Sequence, residues 1–427
     1  MKILYISFYY PPFNSIGAVR ASKTVKYLTF LGHEVCVLSA DSQLLPTTLK
    51  DENVSVSVNY TSWININLIV ALMSGGRQKV GVNGYPSFSK RFNILNKLGY
   101  LYKLILNFPD AQIGWWPFAV SRGKKILREA EFDVIYASAW PVTSLLIARK
   151  LSKISGVPWV CEYRDLWTKN PYLSSPVWKK NIEKSLEMSV LKSSSGLVTI
   201  SEPHARQMKE DYHKPIAVVS NGFDPEEHDF TEVSEITSSV CKIVHAGTIY
   251  PGKRSPEPLF KALANLAEKK KKFKLIFMGR YSETLAPLIP KYGLEDIVEL
   301  HGQVSRKEAI IEQSKANVLL LLLWDSPEEE GNYSGKFFDY LGSRRPILLL
   351  GPKKNVAAQI IENLNLGCVT TAQDQIEKFL LSQLSKSGSD KYLTAVKKAD
   401  LSNFTRKSQT KILSKFLCEV INQIPKK

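Results

Sequence analysis

The stretch EEEGNYSGKFFDYLGSRRPILLLG, Glu328 to Gly351, sets glycines around a lysine, opens what reads as a helix and ends in a strand. Such a pattern can cradle phosphate, because the first amides of a helix have no partner inside it and point at an anion. Two common phosphate motifs do not fit. The P-loop GxxxxGK[ST] needs a longer gap between its glycines and a hydroxyl after its lysine to hold magnesium. Here Gly331 and Gly335 stand too close together, and Lys336 is followed by Phe337. No GxGxxG follows the first strand of either half, which removes the main support for a nicotinamide enzyme. What remains is a loop of small residues feeding the helix GKFFDYLGS, with Lys336 in its first turn and Asp339 one turn further. A diphosphate needs amides and a lysine, and a ribose needs a carboxylate that accepts from two vicinal hydroxyls. The pair therefore suits a nucleotide-sugar better than a nucleoside triphosphate.

The elements that must hold these residues are α/β. MKILYISFYY reads as a buried strand, PPFNSIG as a loop, AVRASKTVKYLTFLG as a helix and HEVCVLS as a strand, which makes one βαβ unit. FDVIYAS, VPWVCEY, GLVTIS and KPIAVVS continue the series as short apolar strands. A second start follows at Lys242 with KIVHAG, TIYPGKRSP, EPLFKALANLAEKKKK and FKLIFMG, and then DIVELHG, ANVLLLLL, RPILLLG and GCVTT. Near-continuous apolar strands alternating with helices predict mostly parallel sheets covered on both faces, and the repeat predicts two Rossmann-like domains in tandem. The expected division is 1–225, 226–400 and a C-terminal helix 401–427, with the linker in SNGFDPEEHDFTEVSE. The helix of the opening stretch lies between two strands, so its start faces the carboxyl ends of the second sheet, where such sheets bind ligands.

One region, about 63–117, breaks the rhythm. In FNILNKLGYLYKLIL, Asn93, Asn96, Lys97 and Lys103 gather on one helical side. Lys90 and Arg91 precede it, and Trp115 and Trp116 follow. It is read either as a basic amphipathic segment lying in a membrane interface or as a helix capping the first sheet.

Of the net charge of +17 over 427 residues, +11 lies in residues 1–225. Nucleic acid, anionic lipid and phosphorylated ligands could all answer such a charge. A nucleic-acid partner is not expected, since the charge is dispersed and no basic aromatic motif or low-complexity arm accompanies it. The first apolar run is cut by Tyr9, Tyr10, Pro11 and Pro12, and no later run approaches the length of a membrane span, so a cytoplasmic protein is expected. Cys36, Cys161, Cys241, Cys368 and Cys418 are scattered and read as reduced core residues. The six histidines, His33, His204, His213, His228, His245 and His301, form no metal-spaced cluster and read as structural.

HAGTIYPGKRSPEPLF, FMGRYSE, LHGQVSRKEAI and above all LLLLWDSPEEEGNYSGKFFDYLGSRRPIL resemble the C-terminal domain of family 4 retaining glycosyltransferases, particularly those of bacterial surface-polysaccharide assembly. YYPPFNSIGAVRASKTVKYLTFLGHEV resembles their N-terminal domain. The resemblance implies a GT-B fold, with two facing Rossmann-like domains, the donor on the second, the acceptor mainly on the first, and a final helix crossing back. It places Gly247, Lys253 and Arg254 in the loop that meets the donor diphosphate, Arg280 near base and phosphate, and Tyr333, Ser334, Gly335 and Lys336 in the small-residue loop. Asp339 takes the ribose position, where most relatives carry the longer Glu. The paired acids that relatives space as E-x7-E are out of register here. Gly331 stands eight residues before Asp339, leaving Glu328, Glu329 and Glu330 as candidates to approach the sugar. Where relatives often carry a histidine, after the strand in WVCEYRDLW, this chain offers Arg164 and Asp165. On the acceptor side, Asn14, Gly17 and Arg20 fall in the loop PPFNSIGAVR, with Arg20 equally readable as a surface helix residue.

The implied reaction is metal-independent glycosyl transfer with retention. The donor is a nucleotide-sugar, with UDP as nucleotide. The acceptor is lipid-linked or a saccharide, met at the inner face of the cytoplasmic membrane where anionic lipid attracts the basic first half. No cofactor or metal is expected: Lys253, Arg254, Lys336 and helix amides stabilise the leaving group. The rival readings are a membrane-docked scaffold without catalysis and a basic nucleic-acid-binding protein.

Overall fold

The computed structural model describes residues 1–50, 56–67, 104–172, 175–228, 240–249, 252–279, 285–384 and 391–423. The chain divides into two units, Met1–Val219 with Thr410–Lys427, and Ser220–Gln409. The first boundary thus falls a few residues before 225, and the chain changes unit again inside its final helix, Arg406–Asn422. Arg280, the basic segment with Lys90, Arg91, Lys97 and Lys103, and the later part of the expected linker lie outside the described residues.

Unit 1 is a parallel sheet of β1 (Lys2–Ile6), β2 (Glu34–Ala40), β3 (Ser57–Thr61), β4 (Val134–Ala139), β5 (Trp159–Tyr163), β6 (Gly196–Thr199) and β7 (Ile216–Val218) in the order 3-2-1-4-5-6-7. Its helices are α1 (Ile16–Phe30), α2 (Trp116–Glu129), α3 (Thr143–Ser155), α4 (Val177–Lys192) and α5 (Glu202–Tyr212). Strand alternation sorts the core. Leu4 and Ile6 face Trp115, Ile126, Leu145 and Leu151 on the side of α2 and α3. Ile3 and Tyr5 share the other side with Ala21, Val25 and Leu28 of α1 and with Leu413, Phe416, Leu417 and Val420 of the final helix. Residues from the far end of the sequence therefore complete one face of the first sheet.

Unit 2 repeats the plan with β8 (Cys241–Ala246), β9 (Phe273–Met278), β10 (Val298–Leu300), β11 (Val318–Leu322), β12 (Ile347–Leu350) and β13 (Gly367–Val369), all parallel in the order 10-9-8-11-12-13. Here α6 (Glu257–Asn265) and α10 (Gln373–Leu384) cover one face. The other is covered by α8 (Gly335–Ser343) and α9 (Val356–Asn363), while α7 (Arg306–Ser314) precedes β11. In both sheets the strand order reverses beside the first strand. The crevice outside the carboxyl ends at that reversal is where open α/β sheets bind ligands.

Every segment read as a strand forms one. β3 was not expected: SVNYT is a half-exposed edge strand, and the mixture of polar and apolar residues that suits an edge does not announce a buried one.

Candidate functional site

In unit 2, α8 is fixed to the sheet by Tyr340. Its buried hydroxyl accepts from the amide of Ala246 at the end of β8 (3.1 Å) and donates to the carbonyl of Leu320 on β11 (3.1 Å). One helical turn earlier, on the same side, stands Lys336, so this docking sets the lysine over the end of β8. Its Nζ lies 3.3 Å from His245 Nε2. The loop below must be bare for that to happen. A methyl group on Gly247 would lie 2.5 Å from Lys336 Cε, and the residue has φ +127, a region L side chains rarely adopt. Burial, and secondarily the Arg254 guanidinium, push the Lys336 ammonium down to about 7.

The remaining residues of the loop are sorted by charge. Arg254 Nη2 is 3.5 Å from the carboxylate of Glu329, whose side chain is wholly buried. Glu328 is exposed and Glu330 half-buried, so Glu329 is the acid of the three drawn into this basic cluster. Lys253 lies over the Trp324 ring, 4.3 Å from its centre. Asn355 holds the Glu329 loop in shape. It donates to the carbonyls of Glu329 and Asn332 while its oxygen caps α9 at Ala357 N (2.8 Å). Tyr333 stacks on Phe337 at 6.0 Å between centres. Ser334 is the N-cap of α8 but makes no side-chain bond to it; its carbonyl accepts from Phe337 N (3.0 Å), and its hydroxyl leaves the amides of Gly335 and Lys336 to another acceptor.

Asp339, expected at a ribose, accepts from Arg306 Nη2 (2.7 Å), and the same guanidinium is held by Glu227. Burial alone would lower the Arg306 pKa, but the two carboxylates raise it. Sequence reading singled out neither Arg306 nor Glu227. It also set aside His245, which is buried at the foot of the lysine.

Unit 1 brings Gly17, Arg20 and Arg164 together. Arg164 donates to the carbonyls of Ala139 (2.7 Å), the last residue of β4, and Trp140 (2.7 Å) just after it, and its guanidinium lies against Gly17, where a methyl group would come within 2.8 Å of Nη1. Arg20 is buried, not a surface helix residue. It donates to Glu162 from Nε (3.0 Å) and Nη2 (2.7 Å) and to the carbonyl of Val219 (2.9 Å), with Ser138 on the other carboxylate oxygen. Burial would raise the Glu162 carboxyl, but Arg20 and Arg164 together hold it below its ordinary value. Glu162 is the residue that sequence reading missed here, although a single acid inside the apolar run WVCEY already demands a cation. Asn14 is exposed and bonds Thr48 (2.9 Å), and Asp165 is exposed.

Two nucleotide-binding-type sheets with this strand order, the second carrying a basic loop and a lysine-bearing helix at its reversal point, define a GT-B architecture. Residues 18–227 match the model of Glycosyltransferase Family 4, and the chain resembles glycosyltransferases of that kind. Among solved structures, a glycosyltransferase from Rickettsia africae ESF-5 is similar over 99% of both chains, with a TM-score of 0.65 and 15% identity. Anabaena HepE, solved with UDP and glucose, is similar over 98% of this chain and 100% of its own, with a TM-score of 0.64 and 16% identity. The lipopolysaccharide outer core galactosyltransferase WaaB matches over 98% and 99%, with a TM-score of 0.59 and 14% identity. At these identities the likeness shows the fold. No curated protein matches the chain.

Proposed function

We propose that the chain is a retaining glycosyltransferase. In this reading unit 2 binds a nucleotide-sugar, a UDP-sugar by preference, and unit 1 receives a lipid-linked or saccharide acceptor of surface-polysaccharide assembly. The observation that carries the reading is Lys336 seated over the bare Gly247 at the end of β8, with Arg254 beside it and open helix amides next to it. Positive charge and amides converge where a diphosphate leaving group gathers negative charge as its bond to the sugar breaks. The family match, and a neighbour solved with UDP and glucose, support this choice of donor.

Leaving-group stabilisation falls to Lys253, Arg254, Lys336 and the first amides of α8, without a metal. The departing phosphate helps deprotonate the acceptor hydroxyl on the same face. Attachment is peripheral, at an anionic membrane surface through unit 1, where most of the excess positive charge lies.

A thermal-shift screen of nucleotide-sugars, followed by release of free nucleotide, tests the reading. A donor at a hundred times its dissociation constant adds about 2.7 kcal/mol of stability. Turnover should persist in chelator. A protein that no nucleotide-sugar stabilises, and that releases no nucleotide with any acceptor, is not this enzyme.

A further inference from the structure

We propose that His245 is a positioning residue for Lys336: a neutral imidazole that fixes the ammonium by accepting from it, without cancelling the charge the ligand needs. The inference rests on the reading of the Lys336 loop as a diphosphate cradle.

Backbone groups of Leu320 and Gly247 both hydrogen-bond the ring, and the contact at Nδ1 assigns its tautomer. Nδ1 lies 2.9 Å from the carbonyl of Leu320, which can only accept, so Nδ1 carries the hydrogen. That leaves Nε2 as a lone pair, aimed at Lys336 Nζ at 3.3 Å. The ring is 1% exposed and packs on Phe277, and the Leu320 carbonyl is the one that also receives the Tyr340 hydroxyl. Two strands and a helix therefore lock the histidine and deliver the lysine to it. Burial, then the charge of Lys336, keep the imidazole neutral far below its usual pKa.

The choice of acceptor has a chemical point. A carboxylate in this place would orient the lysine equally well, but it would pair with the ammonium and compete with the ligand. An imidazole lone pair orients one N–H and leaves the positive charge and the other two donors for the diphosphate. Among the described residues, the charged or titratable groups facing Lys336 are His245 on β8 and Arg254 in the loop after it, with Glu329 reached through Arg254. Arg254 works against the ammonium and His245 Nε2 works for it. With the lysine near neutrality in the empty protein, an arriving diphosphate draws a proton onto it, so affinity should fall as pH rises past about 7.

Binding of UDP and of inorganic pyrophosphate to the full chain, followed by calorimetry from about pH 6 to about pH 9, tests this. His245→Asn can still reach the Leu320 carbonyl but not the lysine, whereas His245→Gln can offer an oxygen to the lysine. The Asn variant should bind UDP about tenfold more weakly, with its loss of affinity moved to lower pH, and the Gln variant should recover most of both. His245→Leu, which offers the lysine no acceptor, should resemble Asn in folded protein. The proposal is overturned if the Asn variant binds like the native protein at every pH, or if Gln is as impaired as Leu. Lys336→Ala separates the two levels of failure. If neither probe binds the native chain, or if this variant binds both unchanged, the diphosphate reading falls and takes His245 with it. If binding depends on Lys336 but ignores His245, only the positioning role falls.

Discussion

Lys336 is the residue on which most depends. In the proposed reaction negative charge grows on the diphosphate, so a lysine beside it would bind the transition state more strongly than the ground state. Lys336→Ala should lower turnover about a hundredfold, roughly 3 kcal/mol, in steady-state kinetics on folded protein. Normal turnover would remove this helix from the chemistry. Asp339 needs a different test, because Arg306 shares its carboxylate with any sugar hydroxyl. Ribose charge does not change in the reaction, so Asp339→Asn should raise the donor KM and leave kcat nearly unaltered. If Arg306 and Asp339 act as one unit, Arg306→Ala combined with Asp339→Asn should depart from additivity by about 0.5–3 kcal/mol. Simple addition would mean the ion pair only braces α7 against α8. In unit 1, Glu162→Gln leaves Arg20 buried without its counter-charge and should cost about 3–5 kcal/mol in urea unfolding. The Glu162 carboxyl is held below its ordinary value, so its contribution is full above the unfolded pKa and is lost as pH falls through the folded one. Acid destabilisation of the native protein should accordingly flatten in the Gln variant.

At the scale of elements, strands were legible and contacts were not. Parallel strands buried on both faces must be continuous apolar runs, and KILYI, VIYASA and VLLLL read that way at once. The placement of Lys336 and Asp339 on one helix was legible too, since a lysine in the first turn of a helix after a strand needs only local spacing to be noticed. His245 was not, because KIVHAG reads the same whether its histidine faces core or ligand. The answer depends on how α8 sits on β8 and β11, and that is set by Tyr340 in another part of the chain. Arg306 and Glu227 were missed for the same reason, each being an ordinary surface charge until α7 meets α8. The loop before α8 offers its own test. Asn355 joins the cap of α9 to two loop carbonyls, so Asn355→Ala should lose about 1–3 kcal/mol of stability. It should also raise the donor KM, because Glu329 and its hold on Arg254 are shaped by that loop. A stability loss with unchanged KM would separate the loop from the site.

At the scale of the whole molecule, the final helix belongs to the core it covers. Phe416 is 7% exposed and packs with Leu413, Leu417 and Val420 on the sheet face that holds Ile3 and Tyr5. Phe416→Ala should cost about 3–5 kcal/mol, measured by chemical unfolding, and a chain stopped after Thr405 should not yield a cooperatively folded unit 1. A sharp unfolding transition in that shortened chain would show the sheet is complete without it.

The same feature orders events at birth. The strands of unit 1 leave the ribosome before unit 2, yet the side chains that close one face of their sheet are made only after it. At about 5–20 residues per second, the intervening unit takes on the order of ten to forty seconds to synthesise. Throughout that interval a strip of apolar sheet waits uncovered, and at its end unit 2 has every residue it needs while unit 1 does not. The second half of the gene product is thus free to reach its native state before the first, and nascent unit 1 is the form on which a chaperone that recognises exposed apolar surface should act.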